Sequence, residues 1–143
     1  MAGDLDTGVP STASPVPVVY QAPPQHKPWG TEHTFAAVDG HYVGKIVHVS
    51  AGQALSLHYH EEKDETVLVL SGDAVISYGP LDGHVTERVF APGDTVHFPA
   101  RVVHRISAIT DLVFAEAATA RPGWREDVVR LEDDYGRSGT TAP

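Results

Sequence analysis

From Trp29 onward, Gly, Pro and Asp divide the chain at roughly ten-residue spacing into short runs of β-branched and apolar residues. The runs are His41–Ser50, Ala54–His60, Glu65–Ser71, Ala74–Tyr78, Val85–Phe90, Asp94–Phe98, Val102–Ala108 and Leu112–Ala117. Between them stand Ala51-Gly52, Ser71-Gly72-Asp73, Gly79-Pro80, Ala91-Pro92-Gly93 and Pro99, residues that permit or pre-set tight turns. No segment sustains the 3.6-residue period of a helix. The pattern predicts an all-β domain, a sandwich or a closed barrel.

With 143 residues, the chain has room for one such domain. Pro28 to Arg137 is read as that domain, residues 1–27 as an extended Pro-rich leader and residues 138–143 as a flexible tail. Within Arg125 to Arg137, Val128, Val129 and Leu131 predict an edge strand. Trp29 and Trp124 are read as packing anchors. There is no cysteine, which excludes disulfides and thiolate zinc sites. The 10 Lys and Arg against 19 Asp and Glu give a formal charge of −9, the wrong sign for a partner of nucleic acid or of anionic lipid. No membrane span or signal-peptide pattern is found, so the expected location is the cytoplasm.

Alternation carries an expectation about assembly. In Glu65–Ser71, Val67 and Val69 share one face with Glu65, while Leu68 and Leu70 share the other with Thr66. Both faces are apolar, and a small barrel has one interior. The outer face therefore needs cover from the leader, from the C-terminal segment or from another copy; a homodimer is expected.

Nine histidines need a cause in so short a chain. His58 and His60 are two apart on a predicted strand, so both rings take one face, roughly 7 Å apart along it, within reach of one ion. Glu65 opens the next strand after a short charged turn, and His104 follows a turn at Pro99. His48 reads as a barrel or interface residue; His26, His33, His41 and His84 lie near turns or the leader and read as solvated.

The segments that hold these residues resemble the two motifs of the cupin superfamily. The first, Gly52, then His58-Tyr59-His60, then Glu65, then Gly72, is matched at every position; the second is matched at Gly93, Asp94, Pro99 and His104. This resemblance implies a jelly-roll β-barrel with one divalent transition metal, Mn, Fe, Co, Ni, Cu or Zn, held by His58, His60, Glu65 and His104. Pro28-Trp29-Gly30, Tyr42 through Lys45-Ile46, Leu55-Ser56-Leu57 and the stretch from Trp124 to Arg137 are further similar to the C-terminal isomerase domain of type II mannose-6-phosphate isomerases. In that family Gln usually stands where this chain has His58, and Arg where it has Lys63.

That likeness implies aldose–ketose isomerisation of a phosphosugar, in which a base moves a proton between adjacent carbons. Lys63 and His97 are the candidates for the base. Lys45, Arg101 and Arg105, with Arg88, are the candidates for holding a phosphate. Three nitrogens and one carboxylate leave two positions open on an octahedral ion, which also suits a metal-dependent oxygenase or a cupin that only binds a small molecule.

Overall fold

The structure, a computed structural model, describes residues 15–143. Eleven strands form two antiparallel sheets. Strands β1 (Gln25–Lys27), β2 (Gly30–Val38), β3 (Tyr42–Val49), β5 (Glu65–Ser71), β8 (Thr95–Phe98) and β10 (Leu112–Thr119) make a six-stranded sheet in the order β1-β2-β3-β10-β5-β8. Strands β4 (Leu57–Tyr59), β6 (Ala74–Gly79), β7 (Thr86–Phe90), β9 (Val103–Ala108) and β11 (Val129–Glu132) make the other, in the order β11-β4-β9-β6-β7. Among the described residues, no helix is long and apolar enough to cross a membrane.

Each of the eight runs read from the sequence overlaps a strand, with β6 and β10 extending one and two residues further, and β11 is the edge strand expected near the C-terminus. The turns fall where Gly and Pro stand. Gly72, in the turn between β5 and β6, has φ +81°, and a Cβ there would lie 2.0 Å from the Asp111 carbonyl oxygen, so only glycine fits.

The sequence reading missed β2, and the structure gives the reason. Its inward residues include Glu32 and Thr34, which line a polar cavity, so the strand lacks the alternation of a half-buried one. The sheet also reaches into the segment read as leader, because Gln25–Lys27 pairs with Gly30–Glu32.

Inward side chains of both sheets form the core, with Phe98, Phe114, Ile76 and Leu112 among its largest members. Along β10 that inner face changes character: Leu112 and Phe114 are buried in the core, Glu116 lines the cavity and Ala118 joins a second cluster with Val43 and Trp124. Both tryptophans are buried, and Trp124 Nε1 donates to Asp39 at 3.1 Å.

The outer half of β5 is open. Leu68 and Leu70 are 36% and 46% exposed, and none of the described residues covers them. The described part of the leader follows the other edge, where the Tyr20 hydroxyl donates to the Phe35 carbonyl; Val16 and Val19 stay exposed. Residues 138–143 fold back on β11, with Gly139 N–H donating to the Arg130 carbonyl and Arg130 Nη1 to that of Thr140.

Candidate metal centre

His58, His60, Glu65 and His104 converge inside the barrel, each offering one ligand atom within 4.8 Å of the others. The register explains the convergence. His58 on β4 lies directly opposite His104 on β9, and Glu65 opens β5 beside Phe98 of β8, whose ring stacks on the His104 imidazole at 4.0 Å. All four residues are at most 9% exposed.

Each imidazole is oriented from behind. The Nδ1 atoms of His58, His60 and His104 meet the backbone carbonyls of Ser56, Asp127 and Val102, so each Nδ1–H donates outward and each Nε2 faces the others. A carbonyl behind the ring fixes tautomer and orientation as in metal sites generally. His60 Nε2 is buried with no hydrogen-bond partner among the described residues. An orphaned buried lone pair beside a carboxylate is costly in an ion-free protein and is satisfied by a cation. The residues present therefore fit a divalent transition metal, with three imidazole nitrogens and one carboxylate oxygen.

The electrostatics agree. Burial and the neighbouring His104 and His60 push the His58 ring well below its usual range, so it is neutral and able to ligate. Burial alone would raise the Glu65 carboxyl, but the bond to His104 and the neighbouring His60, 3.3 Å away, outweigh it and hold the carboxyl well below the usual carboxylate range. Burial likewise disfavours a proton on His104, and the bond to Glu65 at 2.5 Å outweighs it, so the net shift is upward. Without an ion, a proton on His104 neutralises Glu65; a bound cation takes that role.

Residues 45–115 match the Cupin_2 family, described as a cupin domain. Relatives include the alginate biosynthesis protein AlgA of Pseudomonas aeruginosa, 29% identical over 121 residues that are 82% of this chain and 24% of that protein. Mannose-1-phosphate guanylyltransferase of Escherichia coli K12 is 26% identical over 114 residues, 78% of this chain and 23% of that protein. The chain belongs to the cupin superfamily. It thus spans about a quarter of the length of these curated relatives. The capsular polysaccharide assembling protein CapF of Staphylococcus aureus shares the fold at TM-score 0.70 and 22% identity, over 80% of this chain and 33% of that one. KdgF of Halomonas sp. does so at TM-score 0.61 and 21% identity, over 69% and 88%.

Around the His58-His60-Glu65-His104 cluster of this cupin lies a cavity of about 340 Å³. Lys63 and Lys45, both singled out from the sequence, line it: Lys63 Nζ is 4.0 Å from Glu65, and Lys45 Nζ donates to Glu32 at 3.2 Å. The other expectations about the pocket are corrected. His97 pairs with Thr66 and bonds its hydroxyl at 2.9 Å on the outer face, because Phe98 takes the inward position. Arg101 is exposed and paired with Glu61. Arg105 alternates with the inward His104 and reaches the Leu55 and Glu132 carbonyls outside the barrel. Arg88 lies over Phe90, also outside the cavity.

Other cations take their place. All three lysines, Lys27, Lys45 and Lys63, and three arginines, Arg125, Arg130 and Arg137, line the cavity. Facing them are five carboxylates, Glu32, Glu65, Glu116, Glu126 and Asp127, so cations are in slight excess there in a chain of net −9. Lys27 and Arg130 have no carboxylate within 4.0 Å among the described residues, and Arg137 is bound to Asp133 through two nitrogens. Burial, followed by the charge of Arg137, lowers the pKa of Arg130 against the pull of Asp133; in Lys27 burial outweighs the pull of Glu32, and Lys45, Arg137 and Arg130 add to the lowering. Arg130 sits directly opposite His58 in register, and hence on the ligand face.

Glu116 was not singled out from the sequence. It sits on β10 directly opposite Lys45, and its carboxyl makes no hydrogen bond to any described residue. Burial raises its pKa and the charge of Glu65 adds to the rise, against the pull of Lys45 and Lys63.

Asp127 was also missed, and it ties the loop before Glu65 to the site. Its carboxylate accepts the backbone N–H groups of Glu61, Glu62 and Lys63 at 2.7, 3.0 and 3.0 Å, and its carbonyl holds His60. Burial works against the charge, but the three donors outweigh it and lower the pKa. Asp127→Ala is expected to weaken metal binding about 10–100-fold in a competitive chelator titration. A depressed pKa contributes stability above the unfolded value, lost as pH falls through the folded one. The stability gap between wild type and this variant in urea unfolding should therefore be steady near neutrality and close in acid.

Proposed function

We propose that this cupin is a metal-dependent isomerase of a phosphosugar. One observation carries the reading: the His58-His60-Glu65-His104 cluster shares a cavity with six of the chain's ten Lys and Arg. An acidic chain that concentrates its cations around a metal-ligand set suits a substrate with a chelating end and an anionic end. The names of the relatives, alginate biosynthesis and mannose-1-phosphate guanylyltransferase, support a sugar phosphate as the substrate class.

In this reading His58, His60, Glu65 and His104 hold the ion, which when bound supplies Lewis acidity to the sugar's carbonyl and adjacent hydroxyl. Lys27, Arg130 and Arg137 bind the phosphate, since two of them lack a carboxylate partner and an anion relieves their mutual repulsion. Glu116 and Lys63 are the groups placed to carry a proton between neighbouring carbons. An oxygenase would use the same four ligands, but the cation wall would have no role.

The test is metal analysis of protein purified without chelator, then assays with that ion on mannose 6-phosphate and fructose 6-phosphate, in air and under nitrogen. Interconversion at equal rates in both atmospheres, absent with unphosphorylated mannose, is expected. Oxygen uptake without interconversion overturns the reading.

A further inference from the structure

Two sheet edges border the cavity. β1 is the first strand of the six-stranded sheet and β11 the first of the five-stranded one, so each is hydrogen-bonded to a neighbouring strand along one side only, and among the described residues no backbone pairing joins the two. Both are short, at three and four residues, and each meets its neighbour at three positions, β11 with a register shift between Arg130 and Glu132. A short edge strand opens locally at less cost than the strands inside a sheet. Gln25 and Lys27 of β1 and Arg130 of β11 line the cavity from the two sides of this seam.

The side chains across the seam carry one sign. Lys27 and Arg130 face the same space as Arg137, and the charges of Arg130 and Arg137 both act on Lys27. Arg137 acts on Arg130 in the same sense. The carboxylates that pull on them, Glu32 on Lys27 and Asp133 on Arg130, are engaged elsewhere: Glu32 holds Lys45 at 3.2 Å and Asp133 holds Arg137 at 2.9 Å. One Arg130 N–H donates to the Thr140 carbonyl at 3.1 Å, and the Gly139 N–H returns to the Arg130 carbonyl at 3.1 Å, so the tail is tied to β11. Its Thr141 and Pro143 reach the cavity.

We propose that the anionic group of the ligand works a clasp here: held between Lys27 and Arg130, it draws β1 and β11 together and, with the tail, shuts the cavity over the His58-His60-Glu65-His104 cluster. Without it the like charges hold the seam slack. The inference rests on the anionic-substrate part of the function proposed above and not on isomerisation. The two cations sit on edge strands of different sheets, so an anion that holds both must hold both strands. A closed seam offers the anion two cations and an open one offers either alone, and that difference in contacts is what lets binding shift the balance. The chemical class is a phosphate monoester or inorganic phosphate. Several oxygens on one phosphorus meet a planar guanidinium and an ammonium together, each through a charge-assisted bond. A neutral sugar lacks that group and should leave the seam as it is.

Hydrogen exchange of the full metal-loaded chain, followed by mass spectrometry, tests this with inorganic phosphate as the probe and chloride at equal ionic strength as the control. At a phosphate concentration about 100 times its dissociation constant, openings that release the anion become about 100-fold rarer. Amides of Gln25–Lys27 and Val129–Glu132, with that of Gly139, should slow together toward that factor, while those of β7, at the far edge of the five-stranded sheet, stay unchanged. Mannose 6-phosphate should act as phosphate does, and mannose should not. Phosphate that slows neither edge strand overturns the proposal, and so does slowing confined to one of them.

Lys27→Met and Arg130→Gln separate a clasp from an ordinary subsite. With metal content and circular dichroism unchanged, each should abolish phosphate protection on both strands, the unaltered one included. In the absence of phosphate, Lys27→Met should slow exchange on β11, because the repulsion across the seam is gone; exchange as fast as in wild type overturns that part of the proposal. Protection that survives both replacements, as phosphate held by the ion would give, overturns the clasp. Interconversion of mannose 6-phosphate without protection also overturns the clasp, whereas protection without interconversion overturns the isomerase and supports the clasp.

Discussion

His104→Ala is expected to leave the barrel folded and to remove its ion. The ring supplies one of four ligand atoms, meets Glu65 Oε1 at 2.5 Å and stacks on Phe98 at 4.0 Å. Replacing a group that merely supports a metal ligand costs about 10–100-fold in affinity, so loss of a ligand should cost at least ~100-fold. After equal dialysis, mass spectrometry of the metal should find wild type loaded and the variant empty. The fold should survive because Glu65 keeps His60 at 3.3 Å and Lys63 at 4.0 Å, although one lost bond to a buried carboxylate costs about 1–3 kcal/mol. His97→Ala is the control and should keep full occupancy, since that ring lies on the far side of the sheet. Full metal occupancy in His104→Ala would reject the cluster as a metal site.

How far the sequence foretold this arrangement depends on what each feature needs. Strands bounded by Gly and Pro were legible because the turns require those residues, and β5 has the bounds expected of it. The ligand cluster was legible because His58 sits on β4, His60 follows directly after that strand's end and Glu65 opens the next. β2 was hidden because a strand facing a polar cavity does not alternate apolar with polar. His97 was misplaced because the parity of β8 depends on which of His97 and Phe98 faces inward, and an aromatic ring against His104 settles that only in three dimensions. The cation wall was illegible because Lys27 and Arg130 belong to different sheets and meet only when the barrel closes. Glu116 did leave a trace. Leu112, Phe114 and Glu116 share the inward face of one strand, and a lone carboxylate continuing a core-facing row marks where packing gives way to a cavity.

The inverted polarity of the six-stranded sheet gathers its charge at the site. The charges its strands carry go inward, where Lys45 is paired with Glu32 and Glu65 joins the histidines. An outer face left without charge gains little from water. Three histidines belong to the buried cluster and four stand on the outer face.

Glu116→Gln is expected to lower kcat by about 10²–10⁴-fold, the range for a lost general acid or base, with metal content and KM close to wild type. Several observations single out this carboxyl. It lines the cavity that holds the cluster but is not one of the four ligands. Lys45, directly opposite, is already bonded to Glu32 at 3.2 Å, so no cation claims it fully. Burial and the Glu65 charge hold its pKa above the ordinary carboxylate value, which makes it a stronger base once ionised. The sign of the pH effect follows. Glu116 must be deprotonated to accept a proton, so kcat/KM should rise with pH through a limb displaced upward from the ordinary carboxylate range, and Gln should abolish that limb. Exchange of the substrate's carbon-bound hydrogen with solvent deuterium, followed by nuclear magnetic resonance, should fall by the same factor as turnover. If Glu116→Gln keeps wild-type turnover and exchange, the proton passes through Lys63 instead, and Lys63→Met should then show the loss.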